Sequence, residues 1–355
     1  MDRTPPEVWA KIASYACTDS GSTGCSLSLT SRFIRQACEP YTMQSIAVHG
    51  PRSIYALQAA LLSQLAVPCR TRYLYISQHL LLGPSYDDRL TQSLEREAAE
   101  REHVWDDPPW QACTDDELES EKSVAEAIWM IIEIVASTVE VMGLDIPLRT
   151  FEWHSESILA MPRLTDLTCN KYPLHDIDGG RPHMHSPSFP LLFRLHITRS
   201  FDLYLHSNSI SRLAPALRHL KFTGFSTETD GPFGLYLAFA MGHDIMGPRA
   251  TMEEIGLLGP SIQTIYVKPR RAPARGARGD SVAFRAVVMH NSFMRPLVKL
   301  DELGDSRFVL LKADTKDEAQ ARDPMADWKA AIQGIEDYWA QEESPCFHVN
   351  DQCDR

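Results

Sequence analysis

Met161-Pro162-Arg163-Leu164-Thr165-Asp166-Leu167-Thr168-Cys169 opens a pattern that returns three times. It recurs as Phe189-Pro190-Leu191-Leu192-Phe193-Arg194-Leu195-His196-Ile197 and as Ala214-Pro215-Ala216-Leu217-Arg218-His219-Leu220-Lys221-Phe222. The fourth copy is Gly259-Pro260-Ser261-Ile262-Gln263-Thr264-Ile265-Tyr266-Val267. Each reads Pro-x-φ-x-x-φ-x-φ, with φ apolar, and a shorter Leu148-Arg149-Thr150-Phe151-Glu152-Trp153 precedes them. Self-similarity of this kind marks stacked structural repeats. The φ-x-φ alternation predicts a strand with its φ side chains in a shared core, strands of successive repeats pairing in parallel. The residues between then face the opposite surface. They form rows: Thr150, Glu152 and His154; Asp166 and Thr168; Arg194 and His196; His219 and Lys221; Thr264, Tyr266 and Lys268.

The first φ positions are 148, 164, 192, 217 and 262, so the intervals are 16, 28, 25 and 45. Two of these fall within the leucine-rich-repeat range, and the motif resembles that family in degenerate form. The asparagine expected three positions after the last φ is replaced by Tyr172, Ser200 and Phe225, so no regular ladder of asparagines holds the turns. The resemblance implies an α/β fold over residues 51–355, an irregular solenoid of parallel strands backed by helices. Ile54, Leu57, Leu61 and Leu65 predict a helix feeding a strand at Tyr73–Ile76, and Ser123 to Met142 reads as a covering helix. Arg307–Leu311 is a candidate last strand. A helix with Trp328, Ile332, Ile335 and Trp339 on one face follows Asp323-Pro324, and its expected role is to close the end of the solenoid. On the row surface the candidate substrate-binding residues are Glu152, His154, Asp166, Arg194, His196, His219, Lys221, Tyr266 and Lys268. The plain alternative for each is a solvated face.

Residues 1–50 read differently. Thr4-Pro5-Pro6-Glu7 has the form of a helix start, with threonine at the N-cap and glutamate at N3. Val8, Trp9, Ile12, Tyr15 and Ala16 follow at helical spacing, Thr18 to Gly24 is expected to be a flexible loop, and a second helix is predicted from Cys25 to Glu39, ending before Pro40. That helix carries two apolar stripes, Leu27/Ile34/Cys38 and Leu29/Phe33/Ala37, more than so small a unit can bury. Either both stripes dock onto the rest of the chain or they await a partner.

Thr4 to Val48 resembles an F-box of the fungal type. The resemblance is carried by Pro5-Pro6-Glu7-Val8-Trp9, Ile12, Tyr15, Ser28-Leu29-Thr30-Ser31-Arg32-Phe33-Ile34-Arg35, Pro40-Tyr41 and Ile46-Ala47-Val48. It implies a three-helix module that binds the small adaptor of Skp–cullin–F-box ubiquitin ligases, with Pro5, Pro6, Val8, Ile12, Leu29, Arg32 and Phe33 facing that adaptor.

Composition narrows the remaining classes. The chain has 355 residues, 44% hydrophobic and 23% charged, with a net charge of −12. Residues 87–122 hold 13 acids against 4 bases, leaving the rest only three units negative. Residues 83–122 are therefore expected to be an acidic, disordered insert, and the overall sign argues against nucleic-acid or anionic-membrane partners. The opening residues do not read as a secretory signal, and the eight cysteines include no CxxC pair, so reduced thiols in the cytosol or nucleus are expected. Lys268 to Arg278, five bases without acids, reads as a solvated loop or an import signal.

No phosphate-binding glycine loop, GxSxG elbow or HExxH motif occurs. His175-Asp176 and His183-Met184-His185 read as a polar loop, and Cys346, His348 and Cys353 are likewise not a metal set. The sequence thus points to a non-catalytic adaptor without metal or cofactor, holding a protein substrate on its repeats. Two rivals stay open: a repeat scaffold capped by its N-terminal helices, and an enzyme using His154, His196 and His219.

Overall fold

The computed structural model describes residues 4–63, 70–78, 115–146, 159–170, 188–198, 203–225, 232–245, 255–272, 281–313, 324–335 and 339. Among the described residues eight strands form one sheet: β1 (Ser45–His49), β2 (Tyr73–Ser77), β3 (Val141–Asp145), β4 (Asp166–Cys169), β5 (Arg194–Thr198), β6 (His219–Phe225), β7 (Thr264–Pro269) and β8 (Phe308–Leu310). All neighbours are parallel, and the spatial order is the chain order, β1 to β8. The fold class is α/β, as expected.

The four proline motifs share one conformation. The amides of Leu164, Leu192, Leu217 and Ile262 donate to the carbonyls of Met161, Phe189, Ala214 and Gly259 at 3.1–3.2 Å. Each closes a four-residue turn whose second position is the proline, where its fixed φ is already correct. The strand begins two residues later, and all the φ side chains are buried.

Successive repeats are joined by a second recurring device. The carbonyls of Gln44, Arg72, Glu140, Thr165, Phe193 and Arg218 each accept two consecutive amides from the start of the next strand, at 2.7–3.2 Å. The resulting register aligns Leu74, Met142, Leu167, Leu195, Leu220, Ile265 and Phe308 in one row, and Ile76, Leu144, Cys169, Ile197, Phe222, Val267 and Leu310 in another. Both rows share a single core with α4 (Gly50–Ser63), α5 (Asp115–Val135), α6 (Leu203–Leu213), α7 (Phe233–Ala240) and α8 (Ser281–Glu302). Burial in that core pushes the Cys169 thiol far above its usual range.

Several boundaries differ from expectation. The strand beside β4 is Val141–Asp145, whereas Leu148–Trp153 lies outside the described residues. The helix expected over 123–142 ends at Val135 and the chain enters β3 at Val141, beside which Glu140 makes a two-point ion pair with Arg72 (2.8 and 2.6 Å). Residues 115–122 of the acidic segment are the first turns of α5, and 83–114 lie outside the described residues. Among the described residues no helix is long and apolar enough to cross a membrane.

The N-terminal unit has three helices, α1 (Pro6–Ala16), α2 (Ser22–Thr30) and α3 (Arg32–Thr42). Thr4 does not cap α1; Pro5 stands at the N-cap position, without a side-chain bond. The expected second helix is divided at Ser31, whose extended backbone ends α2 while its hydroxyl accepts the Ile34 amide (3.1 Å) and starts α3. Pro40 lies inside the last turn of α3, where its missing amide costs only one bond, to the exposed Gln36. The expected flexible loop is an ordered turn. Asp19 accepts the Gly21 and Thr23 amides (2.9 and 3.0 Å) and the hydroxyls of Ser22 and Thr23 (2.6 and 2.7 Å). Burial works to raise the Asp19 pKa, but these bonds outweigh it and hold the carboxyl below its usual range. Gly24 is required by a close approach: a Cβ there would stand 2.4 Å from the Thr42 carbonyl oxygen of α3.

Candidate functional site

Two surfaces carry the candidate residues. On the N-terminal unit, one of the two stripes is internal. Ile34 and Cys38 pack with Ala13 and Cys17 in a small cluster, with Trp9, Leu27 and Tyr41 around it, separate from the main core. Burial, chiefly, pushes the Cys17 thiol up to about 11 and also raises that of Cys38. Of the other stripe Ala37 is half-buried, but its two large side chains, and two more on α1, are exposed. Leu29 is 79% exposed, Val8 45%, Ile12 43% and Phe33 37%, and Pro5, Pro6 and Arg32 are exposed as well. All seven residues expected to face an adaptor are thus accessible.

The unit also shields the outer edge of β1. The Ala47 amide donates to the Ser20 carbonyl (3.3 Å), the Ser45 hydroxyl bonds the Asp19 carbonyl, and buried Gln44 reaches the Ser14 and Cys17 carbonyls (3.0 and 3.4 Å). Residues 45–49, within the stretch expected to belong to the N-terminal unit, are thereby the first strand of the sheet. None of these edge bonds involves Val8, Ile12, Leu29 or Phe33.

The second surface is the sheet face away from α4–α8. Its middle row runs Ala47, Tyr75, Gly143, Thr168, His196, Lys221, Tyr266 and Val309. These residues are in the expected rows but not in solvent. Asp166, Thr168, His196, Lys221, Tyr266 and Lys268 are all buried, with Lys221 at 1% and His196 at 4%. Arg194, His219 and Thr264, in the neighbouring row, are half-buried. Asp166 is paired with Arg194 and accepts the Thr165 hydroxyl (2.7 Å), and the His219 ring meets Phe193 edge-on (5.0 Å). Glu152 and His154 lie outside the described residues.

The cover is α9 (Pro324–Ile332) together with Trp339. This helix does not close the end of the sheet beyond β8, as its sequence suggested. It lies over β2, β3 and β4, because its apolar side chains find apolar partners there. Met325 and Trp328 bury against Tyr73, Tyr75 and Val141. Gly143 makes the slot: a Cβ at that position would come within 2.5 Å of the Tyr75 ring and 3.5 Å of Trp328. The Tyr75 and Trp328 rings are 5.7 Å apart.

Beside them lies the polar centre of the face. Asp327 Oδ2 is 3.0 Å from His196 Nδ1 and 3.6 Å from Lys221 Nζ, and His196 Nε2 is 2.8 Å from the Thr223 hydroxyl. Trp339 completes the enclosure, with Lys221 Nζ 5.5 Å from its ring centroid and the His196 and Tyr266 rings at 5.9 and 6.0 Å. Asp327, His196 and Lys221 are thus a buried charged cluster against an aromatic wall. Sequence reading found His196, Lys221 and Tyr266 but missed Asp327, Trp328, Gly143 and Tyr75. The helical stripe of tryptophans was visible; its destination was not.

Among the described residues no group of three or more His, Cys, Asp or Glu side chains is arranged to hold a metal. The two histidine segments at 175–185 and the Cys346, His348 and Cys353 group lie outside the described residues. No protein-family model matches the chain, and neither does any curated protein or solved structure.

Proposed function

We propose that this chain is the substrate-recognition subunit of a Skp–cullin–F-box type ubiquitin ligase. In this reading α1–α3 form an F-box-like module that docks on the ligase adaptor, and the parallel-stranded body is an irregular leucine-rich-repeat-like solenoid that holds a protein substrate. No side chain of this chain does chemistry. Holding a substrate near a ubiquitin-charged partner raises its effective concentration, and that alone accelerates transfer.

One observation carries the reading. Of two apolar stripes on a three-helix unit, one makes the unit's own core, while Val8, Ile12, Leu29 and Phe33 stay uncovered. The cost of leaving such side chains in water is explained by a partner that buries them. The edge bonds of Ser20 and Asp19 to β1 favour the second reading, in which the helices only cap a scaffold. Capping leaves the exposed stripe without a role.

The test is co-purification of the full chain with the adaptor subunit of a cullin ligase. Phe33→Glu should abolish capture while leaving the protein folded, since Phe33 is not a member of the buried cluster. Capture of wild type and variant alike would move the contact elsewhere. No capture of either would leave the scaffold reading.

A further inference from the structure

α8 is longer than the surface it packs on. Its 22 residues rise about 33 Å, whereas the three residues of β8 span about 10 Å and the six of β7 about 20 Å. Only the second half is docked. Phe293, Leu297 and Leu300 lie in the main core, and Gly234 of α7 lets the two helices close, since a Cβ there would stand 3.1 Å from Pro296 and Leu297. No residue from 284 to 292 belongs to a buried cluster.

Phe284, Val288, Asn291 and Arg295 recur at spacings of four and three, one stripe of the helix, half a turn from Phe293, Leu297 and Leu300. A stripe turned away from the core is ordinarily polar. This one opens with Phe284 at 72% exposure and Val288 at 45%. The charge beside it has a single sign: residues 281–300 include Arg285, Arg295 and Lys299 and no acid. A helix joining two parallel strands runs back along them, so the start of α8 and the end of β7 share one edge of the sheet. Exposed Arg270 and Arg271 follow β7 at that edge. Among the described residues none of Arg270, Arg271, Arg285 and Arg295 has an ion pair.

We infer that this face, Phe284 and Val288 with Arg285 and Arg295 about them, docks an acidic segment of a protein partner that carries apolar side chains. Complementary charge selects that occupant over the others. A second copy packing the same stripe against itself would bring the arginines of both copies together. An anionic membrane would find two apolar side chains to bury, where an interfacial helix presents a continuous face. The adaptor proposed for α1–α3 would be seated elsewhere: those helices abut β1, and α8 packs on β8, on the order of 30 Å away across the sheet. This docking lies beyond the ligase role and stands without it.

The test pans a phage library of random peptides on the full chain and measures the recovered peptides by fluorescence anisotropy. Wild type should select peptides with acids in excess over bases and with aromatic or aliphatic residues among them. Their Kd should rise about tenfold or more in Phe284→Ser and in Arg285→Glu/Arg295→Glu, and should rise with added salt. All three side chains are exposed, so both variants should unfold as cooperatively as wild type, and the charge reversal carries the test if Phe284→Ser does not fold. Selection of no peptide, or of peptides that bind both variants as tightly as wild type, would overturn the inference. So would binding confined to phosphatidylserine–phosphatidylcholine vesicles, or a dimer in sedimentation that Phe284→Ser dissolves. No ligase adaptor is present in the assay, so failure here and failure of adaptor docking are separate results.

Discussion

Leu191 and Leu192 stand side by side in one repeat, and the fold assigns them opposite fates. Leu192 is the first φ of its motif and fully buried, with its amide closing the turn onto Phe189; Leu191, at the third turn position, is 54% exposed. Truncating a fully enclosed leucine to alanine removes its transfer free energy and leaves a cavity, together about 3–4 kcal/mol. The same truncation at the exposed position falls within about 0.5 kcal/mol. With an m-value of about 3 kcal/mol/M in urea, Leu192→Ala should lower the unfolding midpoint by about 1 M. Leu191→Ala should shift it by less than about 0.2 M. Equilibrium unfolding followed by far-UV circular dichroism measures both. Equal shifts, or the larger one at Leu191, would refute the repeat register, because a slip of one residue exchanges the faces of every strand.

Asp305 accepts bonds from Arg307 (2.8 and 3.2 Å) and lies 2.7 Å from His243, and these contacts, Arg307 first, hold its carboxyl far below the usual range. A folded-state pKa below the unfolded value adds stability above about pH 4 that is lost as pH falls further. Asp305→Asn should therefore cost about 2 kcal/mol at pH 7 and show a shallower loss between pH 5 and 3, read from urea midpoints. Among the described cysteines Cys25 alone is exposed, while Cys17, Cys38 and Cys169 are buried. Brief native alkylation with mass mapping should mark Cys25 first, and early labelling of Cys169 would contradict the core. Gly143→Val forces the Tyr75 ring out of its place against Trp328. It should cost about 1–3 kcal/mol and speed exchange of the α9 amides more than those of β6.

Apolar periodicity alone located β2, β8 and α4, but the register was most legible where two signals coincide. At Leu164, Leu192, Leu217 and Ile262 the proline turn and the φ-x-φ strand fall in fixed phase, and each later proved to be the same turn and strand. β3 carries neither signal: it has no proline, and Gly143 interrupts its alternation for the sake of an indole on the far face. β1 was visible only as an apolar triplet at the end of the N-terminal unit. Ser31 ends one helix and begins the next through its hydroxyl, a local competition that apolar periodicity does not register. The exposure of Leu29 and Phe33 was legible in that so small a unit cannot bury two apolar stripes, whereas Pro5, Pro6, Val8, Ile12 and Arg32 were singled out only by the F-box resemblance. The burial of His196 and Lys221 was not legible. Alternation tells which face a residue takes, but whether that face meets water depends on a helix more than a hundred residues downstream.

The proposed adaptor docking requires that the exposed flank of α1–α3 be covered by the ligase adaptor. Calorimetric titration of the purified adaptor into the full chain, its Phe33→Glu variant and a Gln36→Glu control tests it most directly. Gln36 is exposed on the same helix as Phe33. An aromatic anchor of an interface contributes about 2 kcal/mol or more, which is roughly 30-fold in Kd. Wild type and control should bind saturably, and Phe33→Glu should weaken binding at least that far. Wild-type protein that releases no heat and binds no adaptor, or a Phe33→Glu variant that binds as tightly as the control, would contradict it.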